Sequence, residues 1–334
     1  MANHDKIDLT KRLPRGAIPS PRHALAAAMP HIPDPKISVP SSFLMWPVQM
    51  DSWNNYVYGD CVTAEEAFAK ATAGPQTFIP QATVVAWASA HGVLNGASLT
   101  GVLTAMQTDG FRLNNTTYND GLYNSVNWAN PAILQSAISR QGPVKIGVGA
   151  DDFQTNPNGL VTPGRSGWAM FNYPKNLQFD HCVSLCGYGT LEQLVALFKN
   201  YNITVTVPNG MPTGLCYAVF TWNSIGIIDE QSMLNMTYEA WIRNPVTITC
   251  NPNIYLTTQG SDGIWTFDLA SQARPTQIGS TAGLGFTGII AVGNILYLTT
   301  HGGDGIWMFD LTSQARPTQL GSTAGLGFVG ILCV

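Results

Sequence analysis

Charge is scarce in this sequence. Asp, Glu, Lys and Arg make up only 11% of the 334 residues, against roughly a quarter in an ordinary soluble domain. The formal net charge is −4. No basic stripe breaks that neutrality, which excludes a nucleic-acid surface of the usual electrostatic kind. Long apolar runs are also missing. No stretch reaches the roughly 18 uninterrupted apolar residues of a membrane helix. Met1 to Arg15 carries charges and then proline where a secretory signal would carry an apolar block, so no such signal is read there. The six cysteines include no Cys-x-x-Cys pair, which removes the common redox and zinc spacings. Which of them pair, if any do, is not set by spacing.

What the chain has is apolar bulk and small polar residues. A hydrophobic content of 45% is enough to fill a sizeable core. Asn, Gly, Thr and Ser supply much of the polarity, a surface suited to an extracellular or particle-associated assembly.

The stretch Asn54 to Lys70 organises the reading. Gly59 and Asp60 are turn and N-cap residues, and Ala64 to Lys70 are strong helix formers, so Cys61 is expected in the first turn of a helix. Free N–H groups and the positive end of the helix dipole favour a thiolate there, and the thiolate is the nucleophile. A nucleophile needs a base, a group that orients the base, and an oxyanion hole. His181 heads a short apolar run closed by Gly187-Tyr188-Gly189, which reads as a strand beginning with a general base. Asn223, in Thr221-Trp222-Asn223-Ser224-Ile225-Gly226, offers an amide to orient the imidazole, and Asn55 offers an amide N–H to an oxyanion.

The order Cys61, His181, Asn223 resembles that of papain-like cysteine peptidases. Both Asn-Ser-x-Gly from Asn223 and His-x-Val-x-x-x-Gly-Tyr-Gly from His181 are close to that family's wording. A third segment, Pro131 to Val148, is similar to the helix, Gly-Pro-Val turn and central strand that these enzymes place between Cys and His. The Tyr-Gly-Asp-Cys-Val wording at Cys61 resembles that of bacterial and phage-associated papain-like proteins more than that of papain. The resemblance spans about residues 40 to 245. It implies an α+β papain-like domain, peptide or isopeptide cleavage through Cys61, His181 and Asn223, and no metal or organic cofactor. Asn55 stands where the family has Gln, and Val62 where an aromatic residue follows the nucleophile.

Before that domain, residues 1–41 hold seven prolines and cannot form one continuous helix. They are expected to lie extended across the following domain as an ordered arm; a pro-segment is the other reading, with only Arg22 to Met29 able to form a short helix. Helices are expected over Gln81 to Leu94 and Leu99 to Thr108, and Leu191 to Asn200 fits either an amphipathic helix or an inserted arm. His91 reads as a satisfied core histidine, Cys182 and Cys186 as buried small hydrophobes on one strand face, and Asp151-Asp152 as a solvated strand end, not a metal site.

After residue 246 an internal repeat begins. Asp262 to Leu269 returns as Asp304 to Leu311, and Ser271 to Phe286 recurs almost letter for letter at Ser313 to Phe328, a period of 42. Four short alternating strands with Asp-Gly turns in each unit mark propeller blades, and the wording is similar to the LVIVD-type repeats of bacterial surface proteins. The expected order is thus an arm over 1–41, the papain-like domain over 42–246, and two blades over 247–334. Two blades cannot close a ring, and Gly330 to Val334 has no following blade to join, so self-association is expected, a trimer completing six blades. Two functions stay open: a thiol hydrolase tethered to an oligomerising segment, or a non-catalytic fibre, spike or lectin-like assembly on a degenerate papain-like scaffold. In the second, Trp265 and Trp307 are candidates to stack on a carbohydrate, though core packing is their plainer role.

Overall fold

The computed structural model describes residues 11–244, except 115 and 176–177, and beyond them the backbone of strands lying between 247 and 322. The chain divides into two units, Met1–Thr249 and Cys250–Val334.

In chain order the first unit contains β1 (Ala17–Ile18), α1 (Arg22–Ala27), β2 (Phe43–Leu44), α2 (Cys61–Thr72), α3 (Gln81–Ala90), β3 (Ala97–Ser98), α4 (Leu99–Thr108) and β4 (Phe111–Leu113). It continues with β5 (Thr116–Asn119), β6 (Tyr123–Ser125), α5 (Pro131–Arg140), β7 (Val144–Val148), β8 (Ala169–Met170), β9 (His181–Thr190) and α6 (Leu191–Lys199). β10 (Leu215–Thr221), β11 (Ser224–Asp229), α7 (Glu230–Met236), β12 (Thr237–Arg243) and β13 (Thr247–Cys250) complete it. The fold is mixed α/β, as expected. Helix α4 has the expected bounds, α6 takes the helical option, and α3 stops short at Ala90 with His91 as its C-cap.

The main sheet runs β6-β12-β7-β9-β10-β11-β8, with β2 added on β9. Its pairs are antiparallel apart from β11 with β8. Side chains alternate across it, as the period of two requires. Cys182, Cys186, Cys216, Ala218 and Phe220 face one core with α2, α3, α4 and α6. Val183, Leu185, Tyr217 and Val219 face the other with α5 and α7. Cys182 and Cys186 are indeed buried on one face, and the four described cysteines, Cys61, Cys182, Cys186 and Cys216, are free.

Helix α2 is buried along all twelve residues, although it carries Glu65, Glu66 and Lys70. A helix can be sunk with its charges only if each is paired or neutral. Lys145 of β7 bonds Glu66 and donates to the Val62 carbonyl at 2.8 Å, Arg243 of β12 reaches Glu66 Oε2 at 3.0 Å, and Lys70 pairs with Asp120. Burial pushes Glu66 upward, but Arg243 and Lys145 overcome it and hold its carboxyl well below the usual range. Burial raises Glu65 well above that range, which favours its neutral acid form. These bonds tie the first turns of α2, where Cys61 sits, to the centre of the sheet.

In the second unit β14 (Asn253–Thr257), β15 (Ile264–Asp268) and β16 (Thr276–Thr281) form an antiparallel meander. β17 (Phe286–Val292), β18 (Ile295–Thr300), β19 (Ile306–Asp310) and β20 (Thr318–Ser322) form a second, four-stranded one. β15 and β19 occupy equivalent places in the 42-residue repeat. The returning strand expected at Gly330 to Val334 lies outside the described residues, as do the side chains of Trp265 and Trp307.

Candidate active site

Cys61 opens α2, where the sequence places it, preceded by Asp60 as N-cap. Asp60 caps with backbone only, its side chain making no cap hydrogen bond. Cys61 is 1% exposed. Burial pushes its thiol up to about 12, although the backbone N–H groups of Gly16 and Cys182 face the sulfur and pull the other way. The expected thiolate is therefore corrected for this conformation: desolvation outweighs the helix terminus.

His181 is the first residue of β9 and fully buried. Its ring stacks on Trp222 with centroids 4.4 Å apart and meets the edge of Phe153 at 6.3 Å. Nε2 lies 2.8 Å from the Thr221 hydroxyl, while Nδ1 has no hydrogen-bond partner. Burial lowers its pKa well below the usual value, and the nearby Arg15 cation lowers it further. Imidazole and thiol are thus both uncharged here and are not hydrogen-bonded to each other.

Among the described residues the hydrogen-bond partner of the His181 ring is Thr221, not Asn223. Trp222 and Asn223, both at positive φ (42° and 54°), are the two-residue turn between β10 and β11, closed by the Thr221 and Ser224 pair. Alternation along β10 sets Thr221 on the face of Tyr217 and Val219, the face His181 shares with Val183. The turn carries Asn223 past the ring to a place beside the Tyr56 hydroxyl, and its Oδ1 has no partner among the described residues. A β-strand ending in a hydroxyl residue at this spacing was the available signal.

Asn55 is also differently placed. Its Nδ2 donates to the Tyr58 carbonyl at 3.1 Å and to Asp60 Oδ1 at 3.4 Å, so both amide protons hold the loop before α2 and neither faces an oxyanion. Burial pushes Asp60 up to about 7, partly offset by the Asn55 bond. In the first turn of α2 the Thr63 and Ala64 N–H groups bond the Asp60 carbonyl, both at 2.9 Å, which leaves those of Cys61 and Val62 as candidate oxyanion donors.

The residues missed entirely belong to the arm. Leu13 is buried in the core that holds Trp222 and Phe153, and Ala17 in the core that holds Cys61 and Cys182. Between them lie Gly16, near Cys61, and Arg15, near His181. Ala17 donates to the Asp180 carbonyl at 3.1 Å, and Gly16 accepts from the Ala97 N–H at 2.8 Å as β1 pairs in parallel with β3. Arg15 Nη1 lies 2.9 Å from Asp151 and 2.7 Å from Asp180, and Arg12 reaches the same pair. Asp151 is therefore one wall of an arginine site, a correction to its reading as a solvated strand end. His91 is a satisfied residue, stacked on Trp87 and 3.3 Å from Asp109. No cluster of three His, Cys, Asp or Glu suited to a metal occurs among the described residues.

No family model and no curated protein matches the chain. Solved structures do. Xylellain, a cysteine protease from Xylella fastidiosa, is 13% identical over 71% of this chain and 99% of its own, with a TM-score of 0.47. Digestive procathepsin L 3 from Tenebrio molitor larval midgut is 13% identical over 65% and 73%, at 0.45. The cysteine protease and lectin-like domains of Cwp84, a surface layer associated protein of Clostridium difficile, are 12% identical over 75% and 60%, at 0.44.

Proposed function

We propose that the chain is a papain-like thiol hydrolase, acting on a peptide or isopeptide bond, that its own amino-terminal arm holds latent. The observation that carries this is the placement of residues 13–17: Leu13 is buried in the core of Trp222 and Phe153, Ala17 in the core of Cys61, and Arg15 pairs with Asp180, the residue before His181. With the arm withdrawn, water and His181 reach Cys61, the thiol passes its proton to Nδ1, and the sulfur attacks the substrate carbonyl. Thr221 accepts a hydrogen bond from Nε2–H and holds the ring, and the Cys61 and Val62 N–H groups at the start of α2 stabilise the oxyanion; the imidazolium then gives its proton to the leaving amine as the C–N bond breaks, and water cleaves the thioester.

Full-length Gly16→Ala tests this, because the added methyl would stand 1.8 Å from the Gly59 carbonyl oxygen and must expel the arm. Cys61 should be alkylated by iodoacetamide on the order of tenfold faster or more, with Cys216 unchanged, and the variant should hydrolyse unfolded protein. An unchanged Cys61 rate, or exposure without hydrolysis, overturns the latent-enzyme reading.

For residues 247–334 the proposal is self-association through the repeats, a trimer first, supported by the 42-residue sequence period and the paired meanders. Light scattering on the purified protein reads the mass, and a strict monomer sinks it.

A further inference from the structure

We infer that the groove that holds Leu13 to Ala17 selects peptides in which an arginine is followed by glycine, with Asp151 and Asp180 as the residues that determine the charge preference. This rests on the reading of that groove as a substrate site and adds which peptides it takes.

The arm shows what the groove accepts. The Arg15 side chain is 6% exposed and touches both carboxylates, whereas Arg12, on the same pair, is 58% exposed. The second Asp180 oxygen accepts the Ala150 N–H at 3.1 Å, so the backbone of the domain sets this carboxylate whether or not the arm is there. Two acids converging on one buried guanidinium make a site that favours a cation strongly, because an uncharged side chain would leave them facing each other.

At the next position the selection is by size. A Cβ on Gly16 would lie 1.8 Å from the Gly59 oxygen, 2.7 Å from its carbon and 2.9 Å from its Cα. All three are backbone atoms, so no rotamer relieves the clash. The wall is close from the other side too, a Cβ on Gly59 meeting the Arg15 oxygen and the Gly16 Cα at 3.3 Å. Beyond glycine the holding bonds are main-chain, Ala97 N–H to the Gly16 oxygen and Ala17 N–H to the Asp180 oxygen, and carry no side-chain preference.

The test uses full-length protein opened by Gly16→Ala, with Arg15→Ser as an independently opened variant, and free heptapeptides that shield Cys61 from iodoacetamide. Leu-Pro-Arg-Gly-Ala-Ile-Pro should protect. Replacing its Gly by Ala, or its Arg by Gln, should raise the concentration needed by about tenfold or more. Adding Asp151→Asn should shrink the preference for Arg over Gln and leave that for Gly over Ala intact. Equal protection by the three peptides, no protection by any of them while Cys61 reacts fast, or an Arg preference indifferent to Asp151→Asn overturns the inference. An opened protein that binds the Arg-Gly peptide but cleaves nothing supports the inference and overturns the hydrolase reading. Cleavage without regard to Arg-Gly does the reverse.

Discussion

The His181 ring is held by Thr221: Nε2 and Oγ1 lie 2.8 Å apart, under the stacked indole of Trp222. For Nδ1 to act as base, Nε2 must carry the proton, and a hydroxyl that accepts a hydrogen bond from Nε2–H fixes that tautomer. A hydroxyl holds the ring less firmly than an amide fixed on both sides, which makes the contribution of Thr221 measurable against that of its neighbour Asn223.

Thr221→Val in the opened Gly16→Ala protein keeps the side-chain shape and removes that acceptor. It should lower kcat by about tenfold or more, while Asn223→Ala leaves the His181 ring resonances in place by NMR. Thr221→Ser should restore most of the rate. Equal losses from Thr221→Val and Asn223→Ala would return the orienting role to Asn223.

Asp60 sets a pH dependence. Burial raises its pKa from 3.8 to about 7. A raised folded-state value means the fold prefers the neutral acid, so this contribution is complete below about pH 4 and is lost as pH rises to about 7. Asp60→Asn keeps an oxygen for the Asn55 bond and never ionises. The difference in unfolding free energy between Asp60→Asn and the parent should grow through that window, with an upper bound on the order of 2 to 4 kcal/mol. Chemical denaturation at a series of pH values reads it, and a difference that is flat with pH refutes it.

Lys145 anchors the nucleophile helix through Glu66 and the Val62 carbonyl. Lys145→Met leaves a buried carboxylate short of one cation and should cost about 3 to 5 kcal/mol. Adding Glu66→Gln should recover part of that loss, because the uncompensated charge goes with it. Urea unfolding of the single and double variants decides it, and strict additivity would show that the two residues are not coupled.

Local chemistry made much of this protein legible. Gly59 and Asp60 before a run of helix formers put Cys61 at a helix start, and Asn130-Pro131 opens α5 with the Asn130 side chain capping Ala132 and Ile133. Alternation from His181 onward gave a strand with its two cysteines on one face. These features depend on neighbours a few residues apart, and such spacing is printed in the chain. What only the tertiary structure decided depends on distance in space. Thr221 displaces Asn223 because a two-residue turn and the face of β10 fix which side chain reaches the ring. The sulfur is a thiol because burial outweighs the pull of the helix start and of Gly16, 45 positions earlier in the chain. Desolvation and register are sums over segments that meet only when the sheet has formed, and there the proline-rich arm packs with Leu13 in one core and Ala17 in the other.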